Sequence, residues 1–186
     1  MRTLAQQDRV AQLIEQLAGA IGRDLAQHAD APWALVGIRR RGDVLARRLA
    51  QRLGAERFSG RVGSLDITLY RDDLSEISHQ PIVRTTEIPF SVDGLNVILV
   101  DDVLMTGRSI RAALQCLMDL GRPKRVWLSV LVDRGGRELP IAPDHVALDL
   151  KSESLEPHQH VQVLLEPLDD RDAILLRDRR SEGGAA

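Results

Sequence analysis

Between Asn96 and Ser109 the chain reads Asn-Val-Ile-Leu-Val-Asp-Asp-Val-Leu-Met-Thr-Gly-Arg-Ser. The unbroken apolar run from Val97 to Val100 does not suit a strand with one wet face and predicts a parallel strand buried on both sides. Asp101 and Asp102 then leave the strand, and Thr106-Gly107-Arg108-Ser109 opens a helix expected from about Ser109 to Leu120, stopped by Gly121 and Pro123. A helix N-terminus carries unpaired backbone N–H groups and the positive end of the helix dipole. With Gly107 permitting close approach and Thr106 and Ser109 adding hydroxyls, this turn is a candidate phosphate cradle. Two carboxylates beside it suit a ligand that is both phosphorylated and rich in hydroxyls. Residue by residue, Asp101 and Asp102 could instead cap the helix, with Thr-Gly a plain turn. The two common nucleotide loops, G-x-x-x-x-G-K-[ST] and G-x-G-x-x-G, do not occur.

The rest of the chain alternates in the same way. Apolar residues at helical spacing (Val10, Leu13, Ile14, Leu17, Ile21, Leu25) predict a first helix over about residues 3–28. Trp33 to Ile38 reads as a buried strand, Arg39-Arg40-Arg41-Gly42 as a tight polar loop, and Asp43 to Leu53 as a second helix. Further strands are expected over Val62–Tyr70, Ile82–Ile88, Arg125–Val132, His145–Leu150, Val161–Leu165 and Ala173–Leu176. A charged segment over about 70–84 reads as a flexible loop, and 181–186 as a frayed tail. Strands alternating with helices make a parallel sheet covered by helices, here a single α/β domain over 1–180. Ligands of such sheets sit beyond the carboxyl ends of the strands. That rule selects the loop after Ile38, the corner after Val100 and the residues after Val132.

Composition narrows the class. The chain carries 25 basic and 27 acidic side chains, which excludes a generally polybasic nucleic-acid binder. Aromatics make up only 3%, too few for stacking platforms on single-stranded RNA. No apolar run reaches the ~18 residues of a membrane span. The first residues lack a signal peptide's apolar segment, and the single Cys116 fits a reducing compartment, so a cytoplasmic protein is expected. Cys116 falls among Leu114, Leu117 and Leu120 as core packing. The five histidines show no metal-like grouping except His158-Gln159-His160, which reads as a polar loop, and no protein metal site is assigned.

Val97 to Ser109 resembles the phosphate-binding motif of the type I phosphoribosyltransferases, which use 5-phosphoribosyl 1-diphosphate (PRPP). Three more stretches sharpen the resemblance: Val36-Gly37-Ile38-Arg39-Arg40-Arg41-Gly42; Asp66-Ile67-Thr68-Leu69-Tyr70-Arg71-Asp72-Asp73-Leu74; and Leu131 to Ile141, containing Asp133-Arg134-Gly135-Gly136-Arg137-Glu138-Leu139-Pro140. Together they resemble the PyrR family, pyrimidine-operon regulators with uracil phosphoribosyltransferase activity, over roughly Leu35 to Leu165.

The resemblance implies a mainly parallel twisted sheet flanked by helices, with a flexible loop and a small hood. It implies that Asp101 and Asp102 hold the ribose hydroxyls and that Thr106, Gly107, Arg108 and Ser109 bind the 5-phosphate. Arg39, Arg40, Arg41 and Gly42 would bind pyrophosphate, Gly37 and Gly42 giving backbone freedom, where the alternative is a solvated basic turn. Arg71 would contact pyrophosphate from the flexible loop, while Asp72 and Asp73 could equally be loop solubilisers. Asp133, Arg134 and Arg137 would position uracil, or else form a strand-end ion pair. Substrates and product would be PRPP, uracil and UMP, with Mg²⁺ carried by PRPP; the assembly would be a homodimer or homotetramer, and the pyr mRNA leader a further partner. A phosphoribosyltransferase for another base is the alternative.

The sequence departs from the family pattern in four places, one of them Ala142 where arginine is usual after Leu139-Pro140-Ile141. Met105 stands where tyrosine is usual and Gly136 where histidine is usual. The family's first helix carries arginines and a histidine that contribute to RNA binding, whereas Val10 to Ala20 has no basic residue. Each missing phosphate-pairing cation removes affinity for RNA.

Overall fold

The computed structural model describes residues 1–58, 60–72, 85–153 and 155–178. Most of the expected flexible loop, the start of the expected Ile82–Ile88 strand and the 181–186 tail lie outside these residues. Two sheets organise the rest. Five parallel strands stand in the order β3-β2-β4-β5-β6: β2 (Trp33–Ile38), β3 (Val62–Leu65), β4 (Asn96–Leu104), β5 (Arg125–Asp133) and β6 (His145–Asp149). A three-stranded antiparallel sheet, β1-β8-β7, joins β1 (Arg2–Ala5), β8 (Ala173–Asp178) and β7 (Gln159–Leu164). The helices are α1 (Gln7–Gln27), α2 (Arg41–Leu53) and α3 (Arg108–Asp119).

Side chains alternate along each central strand and so build two cores. On one face Leu35, Ile98, Val100 and Leu131 pack with α1 and α2. On the other, Val36, Val97, Leu99 and Val130 meet Ile110, Ala113, Cys116 and Leu117 of α3. Every residue read from the sequence as the apolar face of α1 is buried. The last turn of α1 is pinned to the sheet edge by His145, whose ring nitrogens lie 2.7 Å from Ser129 Oγ and 3.0 Å from Asp24 Oδ2.

Several expected boundaries shift. Residues 2–5 are a strand rather than the start of the first helix, because they pair with Ile174, Leu175 and Leu176 of β8. Helical period cannot reveal a partner more than a hundred and fifty residues away. The Val62–Tyr70 strand ends at Leu65 and gives way to a 3-10 turn over Thr68–Tyr70, where Asp66 Oδ1 accepts from the Thr68 N–H and hydroxyl. Of the expected Ile82–Ile88 strand, the described part makes a single bridge between Ser64 and Glu87.

The order β3-β2-β4 places a switch in winding direction between β2 and β4: the chain leaves β2 toward one edge and β4 toward the other. The crevice at their carboxyl ends is where a doubly wound sheet takes its ligand.

Candidate active site

The acidic pair lies on the strand, not beyond it. β4 continues to Leu104 because β5 keeps supplying partners, with Asp101 opposite Val130 and Leu104 opposite Asp133. Asp101 is buried and Asp102 half-buried. Asp101 Oδ1 accepts the Asp102 N–H at 3.0 Å, and Asp102 Oδ1 accepts that of Val103 at 3.0 Å. Burial pushes the Asp101 carboxyl well above the ordinary carboxylate range, and the adjacent Asp102 charge adds to it. Burial raises Asp102 too, opposed by the positive charge of Arg41. Two desolvated carboxylates side by side favour a ligand that brings hydrogen-bond donors or positive charge.

Gly107 begins α3 in the left-handed region, φ 91°, where a side chain is strained. A Cβ there would also crowd Ile141 and Leu139 at 3.3–3.4 Å. The Thr106 carbonyl accepts the N–H groups of Glu138 and Leu139, so the segment after β5 closes on the Thr106-Gly107 turn. Thr106 Oγ1 accepts the Arg108 N–H at 3.3 Å. Thr106 and Ser109 are half-buried, while Arg108 is exposed and bonds Glu138 at 2.6 Å and Asp72 at 2.8 Å. Asp72 therefore holds the base of the expected flexible loop to α3, reinforced by a bond from Arg111 to the Tyr70 carbonyl at 2.8 Å. Arg71, beside it, is half-buried; Asp73 lies outside the described residues.

The expected Arg39–Gly42 loop is divided. Arg39 and Arg40 form the turn after β2, joined by a cis peptide, while Arg41 and Gly42 already belong to α2. Arg39 bonds Ser64 Oγ at 2.8 and 3.0 Å and Glu87 at 3.0 Å. Arg40 is exposed. Arg41 grips Asp169 with two bonds of 2.9 and 2.7 Å. Gly37 and Gly42 serve close approach rather than unusual backbone angles, since neither has positive φ. A Cβ on Gly37 would lie 2.3 Å from the Gly42 carbonyl, and one on Gly42 would lie 2.5 Å from that of Val100. The first turn of α2 is thereby set against the acidic end of β4.

After β5, Asp133 and Arg137 come together at 2.7 Å, and Arg137 also bonds the carbonyls of Met105 and Ile141, each at 2.8 Å. Arg134 is buried and donates instead to the carbonyls of Gln159 and Glu156. The structure thus joins Asp133 and Arg137 to the Thr106 turn and places the Arg134 guanidinium on the turn leading into β7. Gly136 and Met105, two of the departures noted in the sequence, are neighbours: a Cβ on Gly136 would lie 3.8 Å from Met105 Cγ.

Asp169 and Asp172, in the turn between β7 and β8, escaped the sequence reading. Their signal was faint: an acid-rich turn, and eight arginines between Arg39 and Arg61 needing counter-charges.

Residues 2–167 match the model of the phosphoribosyl transferase domain. The bifunctional protein PyrR of Pelotomaculum thermopropionicum is 54% identical over 145 residues, covering 76% of this chain and 77% of that protein. The bifunctional protein PyrR of Thermus thermophilus is 54% identical over 149 residues, covering 78% and 80%. Among solved structures, a hypoxanthine phosphoribosyl transferase of Trypanosoma cruzi superposes with a TM-score of 0.72 at 17% identity, covering 97% of this chain and 93% of that one, which shows the common fold. With an acidic strand end, a glycine-started helix and an arginine turn meeting at the switch in its sheet, this chain belongs to the PyrR family of phosphoribosyltransferases.

Proposed function

We propose that this phosphoribosyltransferase uses uracil as its acceptor, transferring the phosphoribosyl group of PRPP to give UMP and pyrophosphate. Phosphoribosyl transfer rests on the meeting of the Asp101-Asp102 corner with the N-terminus of α3, at the carboxyl end of the β2–β4 pair, and uracil as the acceptor rests on membership of the PyrR family. A uracil nitrogen forms the new bond to the anomeric carbon as the bond to pyrophosphate breaks. Asp101 and Asp102 hold the ribose hydroxyls and face the positive charge that develops on the sugar. Thr106, Gly107, Arg108 and Ser109 hold the 5-phosphate. Arg39, Arg40 and Arg41, with Arg71 from the loop, face the departing pyrophosphate. Asp133 and Arg137 shape the base side, Arg137 by fixing the Met105 and Ile141 carbonyls, while Arg134 braces the turn into β7 from behind.

Magnesium fits this arrangement as a substrate-borne ion. A hard cation of this kind is held mainly through phosphates and water, and the desolvated carboxylates of Asp101 and Asp102 are the side chains that would stand near it. It supplies charge neutralisation of the leaving group.

Assays with PRPP and uracil, hypoxanthine or orotate in parallel test the acceptor. Turnover of uracil supports the reading, and turnover of another base alone overturns it.

A second activity, UMP-responsive binding of the pyr mRNA leader by a dimer or tetramer, is what the family resemblance implies, and the relatives at 54% identity carry the name "bifunctional". At least five of the eight arginines between Arg39 and Arg61 are paired with acids: Arg39 with Glu87, Arg41 with Asp169, Arg47 with Asp43, Arg48 with Asp172 and Arg52 with Glu15. Charge already neutralised within the protein releases fewer counterions from RNA, so an RNA face built on these arginines would bind weakly and with a shallow salt dependence, as would one built on the first helix, where Val10 to Ala20 has no basic residue. Titration of leader RNA with and without UMP across salt concentrations tests it, and the absence of saturable, UMP-enhanced binding disposes of it.

A further inference from the structure

The two guanidinium bonds from Arg41 to Asp169 use Nε and Nη2, leaving Nη1 outside the fork. Asp169 is itself fixed, because its Oδ2 also accepts the Leu165 N–H at 2.8 Å. Two helical turns along α2, Arg48 makes a parallel grip on Asp172 and on the Glu166 carbonyl, while Asp172 accepts the Glu166 N–H at 2.9 Å. The turn between β7 and β8 is therefore clamped twice to one face of α2. Arg41 is the first residue of that helix, and its neighbour Gly42 touches the backbone of Val100 and Asp101. Arg41 so stands between the acidic strand end and a carboxylate contributed by the small antiparallel sheet.

We propose that Asp169 is a positioning residue for Arg41, holding its guanidinium plane at the pyrophosphate end of the site. This rests on the phosphoribosyl-transfer reading and adds to it a part for the β7–β8 turn. An unpaired arginine at the start of a helix samples many rotamers; a two-bond fork with a half-buried carboxylate leaves one plane and one remaining nitrogen. The charge of Arg41 also opposes that of Asp102, so its placement affects both ends of PRPP. Asp169 touches no reacting atom in this scheme.

The test is a cycle of Asp169→Asn, Asp169→Glu, Arg41→Gln and the Asp169→Asn/Arg41→Gln double variant. Each is read by steady-state kinetics in both substrates, by PRPP titration calorimetry without acceptor and by thermal unfolding. Asparagine can still accept the Leu165 N–H, so the turn survives while the charged fork is lost. The expected result is a KM for PRPP, and a PRPP dissociation constant, raised about tenfold in Asp169→Asn, with the KM for uracil within about twofold. Asp169→Glu should restore most of that loss, and the double variant should bind PRPP no worse than Arg41→Gln. Equal changes in both KM values, or losses from the two sites that multiply, would overturn the proposal. If the wild-type protein makes no UMP, the uracil reading fails by itself and PRPP calorimetry still decides this one.

Discussion

Asp133 and Arg137 form an ion pair at 2.7 Å whose carboxylate is completely shielded from solvent, at the point where β5 ends. Asp133 also accepts the Gly135 N–H at 3.0 Å, and Arg137 ties the pair to the carbonyls of Met105 and Ile141. One arginine thus connects the end of β5, the Thr106 turn and the segment that closes on it.

Removing the shielded carboxylate strips Arg137 of its charge partner, leaving it only the two carbonyls, and frees the Gly135 N–H that Asp133 accepts. Asp133→Ala should lower unfolding stability by about 3 kcal/mol, against about 1 kcal/mol or less for an exposed pair such as Arg2–Glu153. Denaturant midpoints of Asp133→Ala and Glu153→Ala provide the check. Equal midpoints would mean that the buried pair contributes no more than a surface one.

The pH dependence of stability should carry the mark of Asp101. Its carboxyl is held above the ordinary value in the folded protein, so the folded state binds that proton more tightly than the unfolded state does. The stability linked to Asp101 is fully present below the usual carboxylate range near pH ~4 and is lost as pH rises through the raised value. Asp101→Asn, which can still accept the Asp102 N–H, should therefore melt higher than wild type at pH ~7.5. The gap should close as the pH falls toward ~4. Melting curves across that range test it, and a variant less stable at neutral pH contradicts it.

Gly42→Ala tests the close approach of α2 to β4. The new methyl would lie 2.5 Å from the Val100 carbonyl oxygen, which is backbone and cannot swing aside. Overpacking of this kind costs about 2–3 kcal/mol and moves the first turn of α2 away from the acidic corner. A lower melting temperature together with weakened PRPP binding is expected. Gly54→Ala gives a contrast, because no atom lies within 4 Å of its Cβ and the strain there is from φ alone. PRPP binding unchanged in Gly42→Ala would break the link between that contact and the site.

What the sequence made legible was local in origin. The apolar run at Val97–Val100, the helical face from Val10 to Leu25 and the glycine before Arg108 each follow from period or backbone freedom within a few residues. Where neighbours across the sheet decide the outcome, the sequence was silent or misleading. β4 runs on through Asp101 and Asp102 because β5 pairs with it, although two acids read as a strand's end. Residues 2–5 are a strand because β8 lies beside them, although they precede an amphipathic helix without a break. The pairing of Arg41 with Asp169 joins positions 128 apart, and nothing in either local stretch announces it. Gly37 and Gly42 were singled out for backbone freedom, whereas the fold requires them for want of a side chain.

The central claim is that Asp101 and Asp102 grip the ribose of PRPP. It is tested most directly by UMP formation in the Asp101→Asn/Asp102→Asn variant, measured beside wild type with thermal unfolding as the control for folding. Replacing both charges at a developing positive centre should reduce turnover by about 10³-fold or more while the protein still melts cooperatively. Turnover close to that of wild type in a folded variant would contradict the account.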